Sequence, residues 1–265
     1  MKRGIFLRIA TFLGFVFLYA PIVSLVVFSF NKSKLVTVWG GFSTIWYDEL
    51  FHNDQIITAA WLSLQIAAFS ATIALALGTL AAVALVRFRR FRGKTLLIGM
   101  ISAPLVMPDV IIGLSLLLLF VAMQGLFGWP DRGMLTVIIA HTTFCMAYVA
   151  VVIQSRLSDF DISLEEAAQD LGATPARVFF DVTLPIISPA LISGWLLSFT
   201  LSLDDLVIAS FVNGPGSTTL PMVVWSKVRL GVSPDINALA TIIIGIVALG
   251  VLVASLYLRR QSKAA

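Results

Sequence analysis

Long apolar stretches alternate with short polar ones along the chain, and six of the apolar stretches are long enough to cross a bilayer. A helix rises about 1.5 Å per residue, so a crossing helix needs roughly 20 mostly apolar residues. The six stretches are Ile9–Phe30, Trp61–Val86, Leu96–Met123, Met134–Gln154, Ile186–Val212 and Ala238–Leu258. The pattern therefore predicts an all-α, polytopic membrane protein with six transmembrane helices.

The composition agrees with a membrane protein, since 59% of residues are hydrophobic, 12% are charged and the mean hydropathy is +0.99. Soluble domains average about 45–50% apolar and 25% charged residues. The first stretch follows Lys2, Arg3 and Arg8 but is longer than the apolar part of a signal peptide, so we interpret it as a retained span. Cys145 is the only cysteine, and it is predicted to be a buried structural thiol.

Basic residues are distributed unequally between the two ends of the predicted spans. An even number of spans places both termini on the same side of the membrane. Thirteen of the eighteen Lys and Arg residues lie on that side, at the termini, after the second span or between the fourth and fifth spans. The positive-inside rule therefore predicts a multi-pass protein with both termini, and the loop between the fourth and fifth spans, in the cytoplasm.

The polar segment between the fourth and fifth spans, SLEEAAQDLGATPARVFFDVTLP, has the features of two short helices joined by a glycine. Ser163 and Glu166 have the spacing of a capping box, which begins a helix. Gly172 supplies the left-handed residue that ends this helix. Thr174 is a predicted N-cap, and the second helix runs to about Val182.

Pro175 is expected at the first position of the second helix, where proline is favoured, and Pro185 just before the fifth span. The acids Glu165, Glu166 and Asp170 lie beside a small apolar patch of Ala167, Ala168 and Leu171. This surface is either a solvated face or a docking surface for a soluble partner.

The same segment resembles the EAA loop of the permease subunits of ABC importers. Glu166-Ala167-Ala168, then Gly172 after three residues, then Val182-Thr183-Leu184-Pro185 after nine, match that motif, with Val182 where isoleucine is usual. The resemblance implies a type I (MetI-like) ABC-importer permease fold over residues 61–258, located in a bacterial inner membrane. It also implies that the loop couples the chain to a cytoplasmic ATPase, through Glu165, Glu166, Ala167, Ala168, Asp170, Gly172 and Pro185.

No phosphate-binding loop accompanies this motif. Gly93-Lys94-Thr95 has the end of a P-loop, but Phe88 replaces the glycine required five residues before Gly93. Two histidines and one cysteine offer little to a metal or catalytic site, so we expect no cofactor and no catalytic residue. ATP hydrolysis is then expected in a partner chain.

Three carboxylates fall within predicted spans, where a charge is costly and indicates function. Asp109 follows Pro104 and Pro108, which are expected to bend the third span, and Asp204 and Asp205 lie in the fifth span. No basic residue is evident nearby to neutralise them. They are either protonated or hydrogen-bonded structural groups, or they line a path for a cationic solute. His141, in the fourth span, is predicted to be a hydrogen-bonded packing residue.

Longer stretches narrow the resemblance to the polyamine (putrescine/spermidine) importers. APLVMPDVIIGLSLLLLF and FTLSLDDLVIASFVNGPGSTTLPM are similar to segments of their permeases. The resemblance implies putrescine as the first candidate cargo. The implied partners are a second permease, an ABC ATPase dimer, a periplasmic polyamine-binding protein and membrane lipid, without nucleic acid. A permease for another cation or amino acid, and a secondary transporter, remain as alternatives.

Three features complete the predicted organisation. The chain divides into a first span with its following loop (1–60), a permease core (61–258) and a tail (259–265). Ala74, Gly78 and Ala82 have the four-residue spacing that allows close helix packing, within one subunit or in a dimer. A short helix is expected from Pro221 to about Leu230, with Thr219 as its cap.

Overall fold

The computed structural model describes residues 2–35, 38–88, 90–231 and 233–264; Arg89, which is one of the basic residues counted above, lies outside them. The α-helices are α1 (Lys2–Ser29), α2 (Ile45–Phe51), α3 (Asp54–Arg87), α4 (Lys94–Val106), α5 (Asp109–Phe127), α6 (Met134–Ser158), α7 (Ser163–Asp170), α8 (Pro175–Val178), α9 (Leu184–Asp204), α10 (Val207–Val212), α11 (Leu220–Leu230) and α12 (Pro234–Ala264). A π-helical turn, Phe179–Thr183, joins α8 to α9. The all-α prediction is confirmed, because the described residues contain no β-strand and only one isolated bridge, between Asn31 and Phe42.

Within the described residues, five helical segments are long and apolar enough to cross a membrane: Phe6–Ser29, Asp54–Arg87, Asp109–Phe127, Met134–Ser158 and Pro175–Asp204. Two further apolar helices are shorter, Lys94–Val106 and Pro234–Gly250. The protein is therefore a multi-pass membrane protein by length and composition. The last predicted span, Ala238–Leu258, lies within α12.

The third predicted span is broken rather than bent. Leu96–Met123 was expected to be one helix, but α4 ends at Val106 and α5 begins at Asp109. Met107 is extended, with φ −75° and ψ 137°. Pro108 explains the break, because proline donates no backbone hydrogen bond and its ring disfavours helical geometry in the preceding residue.

The fifth predicted span, Ile186–Val212, is also shorter than expected. Its helix α9 ends at Asp204, Asp205 is extended with ψ 125°, and α10 begins at Val207. No proline or glycine marks this break. Its cause is a set of side-chain hydrogen bonds that is described with the candidate site.

The predicted short helix after the fifth span is confirmed as α11, but its predicted cap is wrong. The hydroxyl of Thr219 is buried and has no hydrogen-bond partner among the described residues. Instead, Ser63 Oγ in α3 accepts a hydrogen bond from the Leu220 amide at 2.8 Å. A residue far away in sequence therefore satisfies the first free amide of the helix.

The chain forms two compact units, residues 1–57 with 223–265, and residues 58–222. The predicted division at residues 60 and 258 stays a prediction. In the first unit α1 and α2 both pack against α12. Hydrogen bonds connect α2 with the end of α1 and with the loop that follows it. Ser29 Oγ lies 2.7 Å from Tyr47 Oη, and Trp46 Nε1 donates to the Asn31 carbonyl at 2.6 Å.

In the second unit α6 is the most buried of the candidate spans. It packs against α4, α5, α9 and α10. Its residues Val137, Ala140, Cys145, Val149 and Ile153 are fully buried, so the prediction for Cys145 is confirmed.

The small-residue pattern of α3 packs within the chain. Ala74 and Ala82 are fully buried, and a Cβ added at Gly78 would lie 2.8 Å from Val149 and 2.9 Å from the Met146 carbonyl oxygen. The glycine therefore lets α3 approach α6 closely, and the interpretation as packing within one subunit is confirmed.

We expect Gly78→Val to lower the free energy of unfolding by about 1–3 kcal/mol, the usual effect of overpacking a core. The clash includes the backbone carbonyl of Met146, so a rotamer change cannot relieve it. The measurement is thermal unfolding of the detergent-solubilised protein. Gly125→Ala in α5 is the control, because nothing lies within 4 Å of a Cβ there. Equal stability of the two variants would contradict this account of α3–α6 packing.

Candidate functional site

Two polar regions of the second unit carry most of the candidate functional residues. One is the segment from Asp159 to Thr183, between α6 and α9, which we call the coupling loop. The other is the break between α9 and α10 at Asp205.

The first helix of the coupling loop, α7, begins at Ser163, but the predicted capping box is wrong. The amide of Glu166 donates to the Ile162 carbonyl at 3.1 Å rather than to the side chain of Ser163. Asp161 takes the capping role instead, since its Oδ1 accepts a hydrogen bond from the Ser163 amide at 3.0 Å. Hydrogen bonds from the backbone amide and then the hydroxyl of Ser163 lower the pKa of the Asp161 carboxyl.

The predicted turn between the two loop helices is confirmed. Gly172 has φ +90°, a left-handed conformation that favours glycine. The Gly172 amide donates to the Gln169 carbonyl at 2.8 Å, and the Ala173 amide to the Ala168 carbonyl at 3.1 Å. These bonds satisfy carbonyls at the end of α7.

The start of the second loop helix is also as predicted. Thr174 Oγ1 accepts a hydrogen bond from the Arg177 amide at 3.4 Å, and Pro175 is the first residue of α8. The end of this helix differs from the prediction. It does not stop near Val182 but continues through the π-helical turn into α9, so Pro185 lies in the first turn of α9 rather than before the span.

The predicted coupling residues divide into two groups by exposure. Glu166, Ala167, Asp170, Gly172 and Pro185 are exposed, whereas Glu165 and Ala168 are partly buried. Large apolar side chains accompany the exposed group, since Leu171 is 91% exposed and Phe180 is also exposed. The coupling loop therefore presents an acidic and apolar surface of the kind that docks onto another protein.

Glu165 makes contacts within the chain. Its Oε1 accepts hydrogen bonds from Arg87 Nη2 at 2.7 Å and from Thr183 Oγ1 at 2.6 Å. Sequence reasoning missed both partners, because Arg87 is 78 residues away from Glu165 and was counted only as a positive charge. We call these three residues the Arg87–Glu165–Thr183 cluster.

Asp205 causes the break between α9 and α10. Its Oδ1 and Oδ2 accept hydrogen bonds from the amides of Ile208, at 3.3 Å, and Ala209, at 2.8 Å. These amides belong to the first turn of α10, where no carbonyl of the same helix is available. The carboxylate therefore caps a new helix at the point where α9 stops.

His141 holds the same carboxylate from α6. Its Nε2 lies 3.1 Å from Asp205 Oδ2 and its Nδ1 lies 2.7 Å from Ser202 Oγ. When Nε2 donates to the carboxylate, Nδ1 of a neutral imidazole accepts from the Ser202 hydroxyl. His141 is a buried, hydrogen-bonded residue as predicted, and its contact with Asp205 was not foreseen from the sequence.

The other two carboxylates of the predicted path, Asp109 and Asp204, are exposed. Asp109 is the first residue of α5, and Asp204 is the last residue of α9. The helices that follow the two breaks are neighbours, since a Cβ added at Gly113 of α5 would lie 3.2 Å from the Ile208 Cα of α10. The two exposed acids thus lie at interruptions of spans, next to a pair of packed helices.

Lys94 has a structural role at the sequence that resembles the end of a P-loop. Its Nζ donates hydrogen bonds to the carbonyls of Leu85, at 3.0 Å, and Phe88, at 3.2 Å. These carbonyls lie at the end of α3, where the helix leaves acceptors free and its dipole favours a cation. The lysine therefore caps α3.

A multi-pass helical protein with interrupted spans and an exposed two-helix loop has the architecture of the membrane component of a transport system. Residues 74–264 match the family described as the binding-protein-dependent transport system inner membrane component, and the chain belongs to this family.

Particular relatives are similar over almost the whole chain. The putrescine transport system permease protein PotI of Escherichia coli (strain K12) is 66% identical, with 95% of this chain and 90% of the relative covered. The spermidine/putrescine transport system permease protein PotC of Haemophilus influenzae is 45% identical over 97% of this chain and 98% of the relative.

Solved structures share the fold. A bacterial ABC transporter involved in the import of alginate has a TM-score of 0.75 and 18% identity, covering 97% of this chain and 95% of its own. The MetNI methionine ABC transporter has a TM-score of 0.62 and 16% identity, covering 77% of this chain and 94% of its own.

We expect His141→Ala to lower the free energy of unfolding by roughly 1–3 kcal/mol, because Ser202 and Asp205 would each lose a buried hydrogen-bond partner. The measurement is thermal unfolding in detergent. His52→Ala is the matched control, since the only other histidine has a side chain that is 78% exposed. If both variants unfold like the unsubstituted protein, the histidine does not stabilise the break at Asp205.

Proposed function

We propose that this chain is a permease subunit of an ATP-driven importer of polyamines, with putrescine as its first candidate substrate. The observation that carries this proposal is the 66% identity to a putrescine-system permease over 95% of the chain. The chain forms a translocation path together with a second permease subunit. A cytoplasmic ABC ATPase dimer supplies the energy, and a periplasmic polyamine-binding protein delivers the substrate.

The membrane arrangement has six spans. α4 and α5 together form one span that is broken at Pro108, and α12 supplies the sixth. Six spans place both termini on one side, and the distribution of Lys and Arg places that side in the cytoplasm. Lipid covers exposed apolar residues such as Phe17 of α1.

The exposed residues of α7, the first helix of the coupling loop, bind the ATPase. Ala167 of α7 and Leu171 form a small apolar surface, and the acids Glu166 and Asp170 lie beside it. When ATP closes the ATPase dimer, the coupling loop moves with it. The movement continues along α8 and the π-helical turn into α9, because these segments form one unbroken helical path. The spans then open alternately to the two sides of the membrane.

The path for the cation is lined by Asp109 and Asp204, while Asp205 acts mainly by holding the break that places Asp204. Exposed carboxylates attract an organic cation, and several weak sites in succession allow both entry and release. The hydrogen bonds of Asp205 to His141 and to two amides occupy its carboxylate.

Reconstitution in vesicles tests the proposed function. With the ATPase and the binding protein present, the chain and its partner permease should accumulate radiolabelled putrescine only when ATP is supplied. ATP-dependent uptake of another cation or an amino acid alone would overturn the polyamine assignment and favour a permease of the same architecture. Uptake that needs an ion gradient and no ATP would favour a secondary transporter.

In this assay we expect Asp109→Asn and Asp204→Asn each to lower putrescine uptake about tenfold, the effect of losing roughly 1.4 kcal/mol of interaction with the moving cation. Asp48→Asn is the control, because Asp48 is an exposed acid of α2 outside the predicted spans. Protein amount and ATPase binding should not change. Unchanged uptake in both path variants would remove these carboxylates from the path.

Gly172→Val should uncouple ATP hydrolysis from transport. A β-branched residue at φ +90° carries backbone strain of roughly 1–2 kcal/mol. Nothing lies within 4 Å of a Cβ at this position, so the effect is conformational rather than a clash. The measurement is putrescine transported per ATP hydrolysed. Gly172→Asn is the matched variant, because asparagine tolerates the left-handed region, and its ratio should stay near that of the unsubstituted protein. Equal ratios for Val and Asn would contradict a role for this backbone conformation.

A further inference from the structure

The Arg87–Glu165–Thr183 cluster connects three helical elements through one oxygen atom. Arg87 ends α3, Glu165 lies in the first turn of α7, and Thr183 ends the π-helical turn that leads into α9. Both donors bind the same atom, Glu165 Oε1. The guanidinium of Arg87 also lies over the ring of Phe160, 5.2 Å from its centroid, in the segment just before α7.

The burial of the cluster distinguishes it from an ordinary surface ion pair. The side chains of Arg87 and Glu165 are only 18% and 13% exposed. The coupling loop also contains an exposed ion pair, in which Arg177 Nε lies 3.7 Å from Asp181 Oδ2. The two side chains are 75% and 67% exposed. Exposed pairs contribute little because water and salt screen them, whereas removing one partner of a shielded pair leaves the other charge uncompensated.

The bond between Glu165 and Arg87 joins α7 to α3. No residue of α7 is buried. A groove of about 230 Å³ lies next to the cluster, lined by residues that include Val83, Gln169 and Phe179. Glu165 and Gln169 of α7 and Val83 and Arg87 of α3 line this groove, so the bond between Glu165 and Arg87 connects its two walls.

The π-helical turn contributes to the cluster through Thr183, which is only 3% exposed. A π-helical turn adds one residue per hydrogen-bonded ring, and such turns are common at functional sites. It therefore changes the direction of the side chains that follow α8, and here the hydroxyl of Thr183 reaches Glu165. The cluster thus joins the start of the coupling loop to its end.

We propose that Arg87 and Thr183 are positioning residues for energy coupling, and that Glu165 anchors α7 to α3 and α9 instead of binding the ATPase. This inference rests on the proposed function as an ATP-driven importer. The exposed residues of α7 dock onto the ATPase, and the cluster transmits the displacement of α7 to two spans. Without the cluster, α7 still docks but moves without α3.

The test uses the assembled importer in proteoliposomes and compares Arg87→Met and Glu165→Gln with the exposed-pair controls Arg177→Met and Asp181→Asn. Both cluster variants should retain the bound ATPase and its basal hydrolysis, and should transport about tenfold less putrescine per ATP hydrolysed, a change of roughly 1.4 kcal/mol. The controls should remain near the ratio of the unsubstituted protein. Arg87→Lys keeps the charge and should restore most of the ratio.

Equal ratios in cluster and control variants would overturn the inference, as would loss of ATPase binding in Glu165→Gln, which would make Glu165 a docking residue. Thr183→Val is the second variant if the charge variants fail to fold, because it removes only the hydroxyl donor. It should lower the ratio in the same direction, and an unchanged ratio would count against the cluster.

A distance measurement separates failure of this inference from failure of the proposed function. Spin labels on Gln169→Cys in α7 and Phe88→Cys beyond α3 should keep a constant separation when ATP is added, and the separation should change in Glu165→Gln. This readout needs no transported substrate. A variable separation in the protein with an intact cluster would overturn the inference. A constant separation without ATP-dependent uptake of putrescine would overturn only the polyamine assignment.

Discussion

A helix in a bilayer can be interrupted only where the protein itself supplies partners for the backbone groups that become free. This constraint shapes the centre of the chain, where α9 stops at Asp204 and α10 begins at Val207. The carboxylate of Asp205 accepts hydrogen bonds from two amides of α10, and His141 of α6 holds that carboxylate. The break leaves Asp204 exposed at the end of a span. In the proposed transport cycle, the buried acid thus supports the one that the cation meets.

The same α6 helix is also the main packing element of the second unit. Close approach of α3 at Gly78 depends on the absence of a side chain there, since a Cβ would meet the backbone of α6. Dispersion contacts of this kind, rather than the hydrophobic effect, hold helices together in lipid. The same helix carries His141, which lies beside Ser202 and Asp205. One helix therefore contributes to both the packing and the polar site.

The coupling loop combines local and distant determinants. Gly172, Thr174 and Pro175 behave as their residue types predict, because a left-handed turn, an N-cap and a first helical position are properties of a few neighbouring residues. The predicted capping box is wrong for an equally local reason. Asp161 lies two residues before Ser163, and its carboxylate accepts the hydrogen bond of the Ser163 amide. Neighbouring residues could not predict which acids of the loop are exposed and which one binds within the chain. Glu165 and Glu166 are adjacent, yet only Glu165 meets Arg87.

A multi-pass membrane protein, its helical fold, the positions of most spans and its family could all be predicted from the amino-acid sequence. These properties follow from composition, from runs of apolar residues and from the spacing of the EAA motif, each of which lies in a continuous stretch of chain. Contacts in the folded chain were needed to find where the two spans are interrupted, which acid His141 holds and which glutamate Arg87 binds. Pro108 indicates the break before α5, because proline has no backbone N–H to donate. No proline or glycine indicates the break at Asp205, which depends on side-chain hydrogen bonds. A buried carboxylate takes its role from the donors around it, and those donors come from helices that are far apart in sequence.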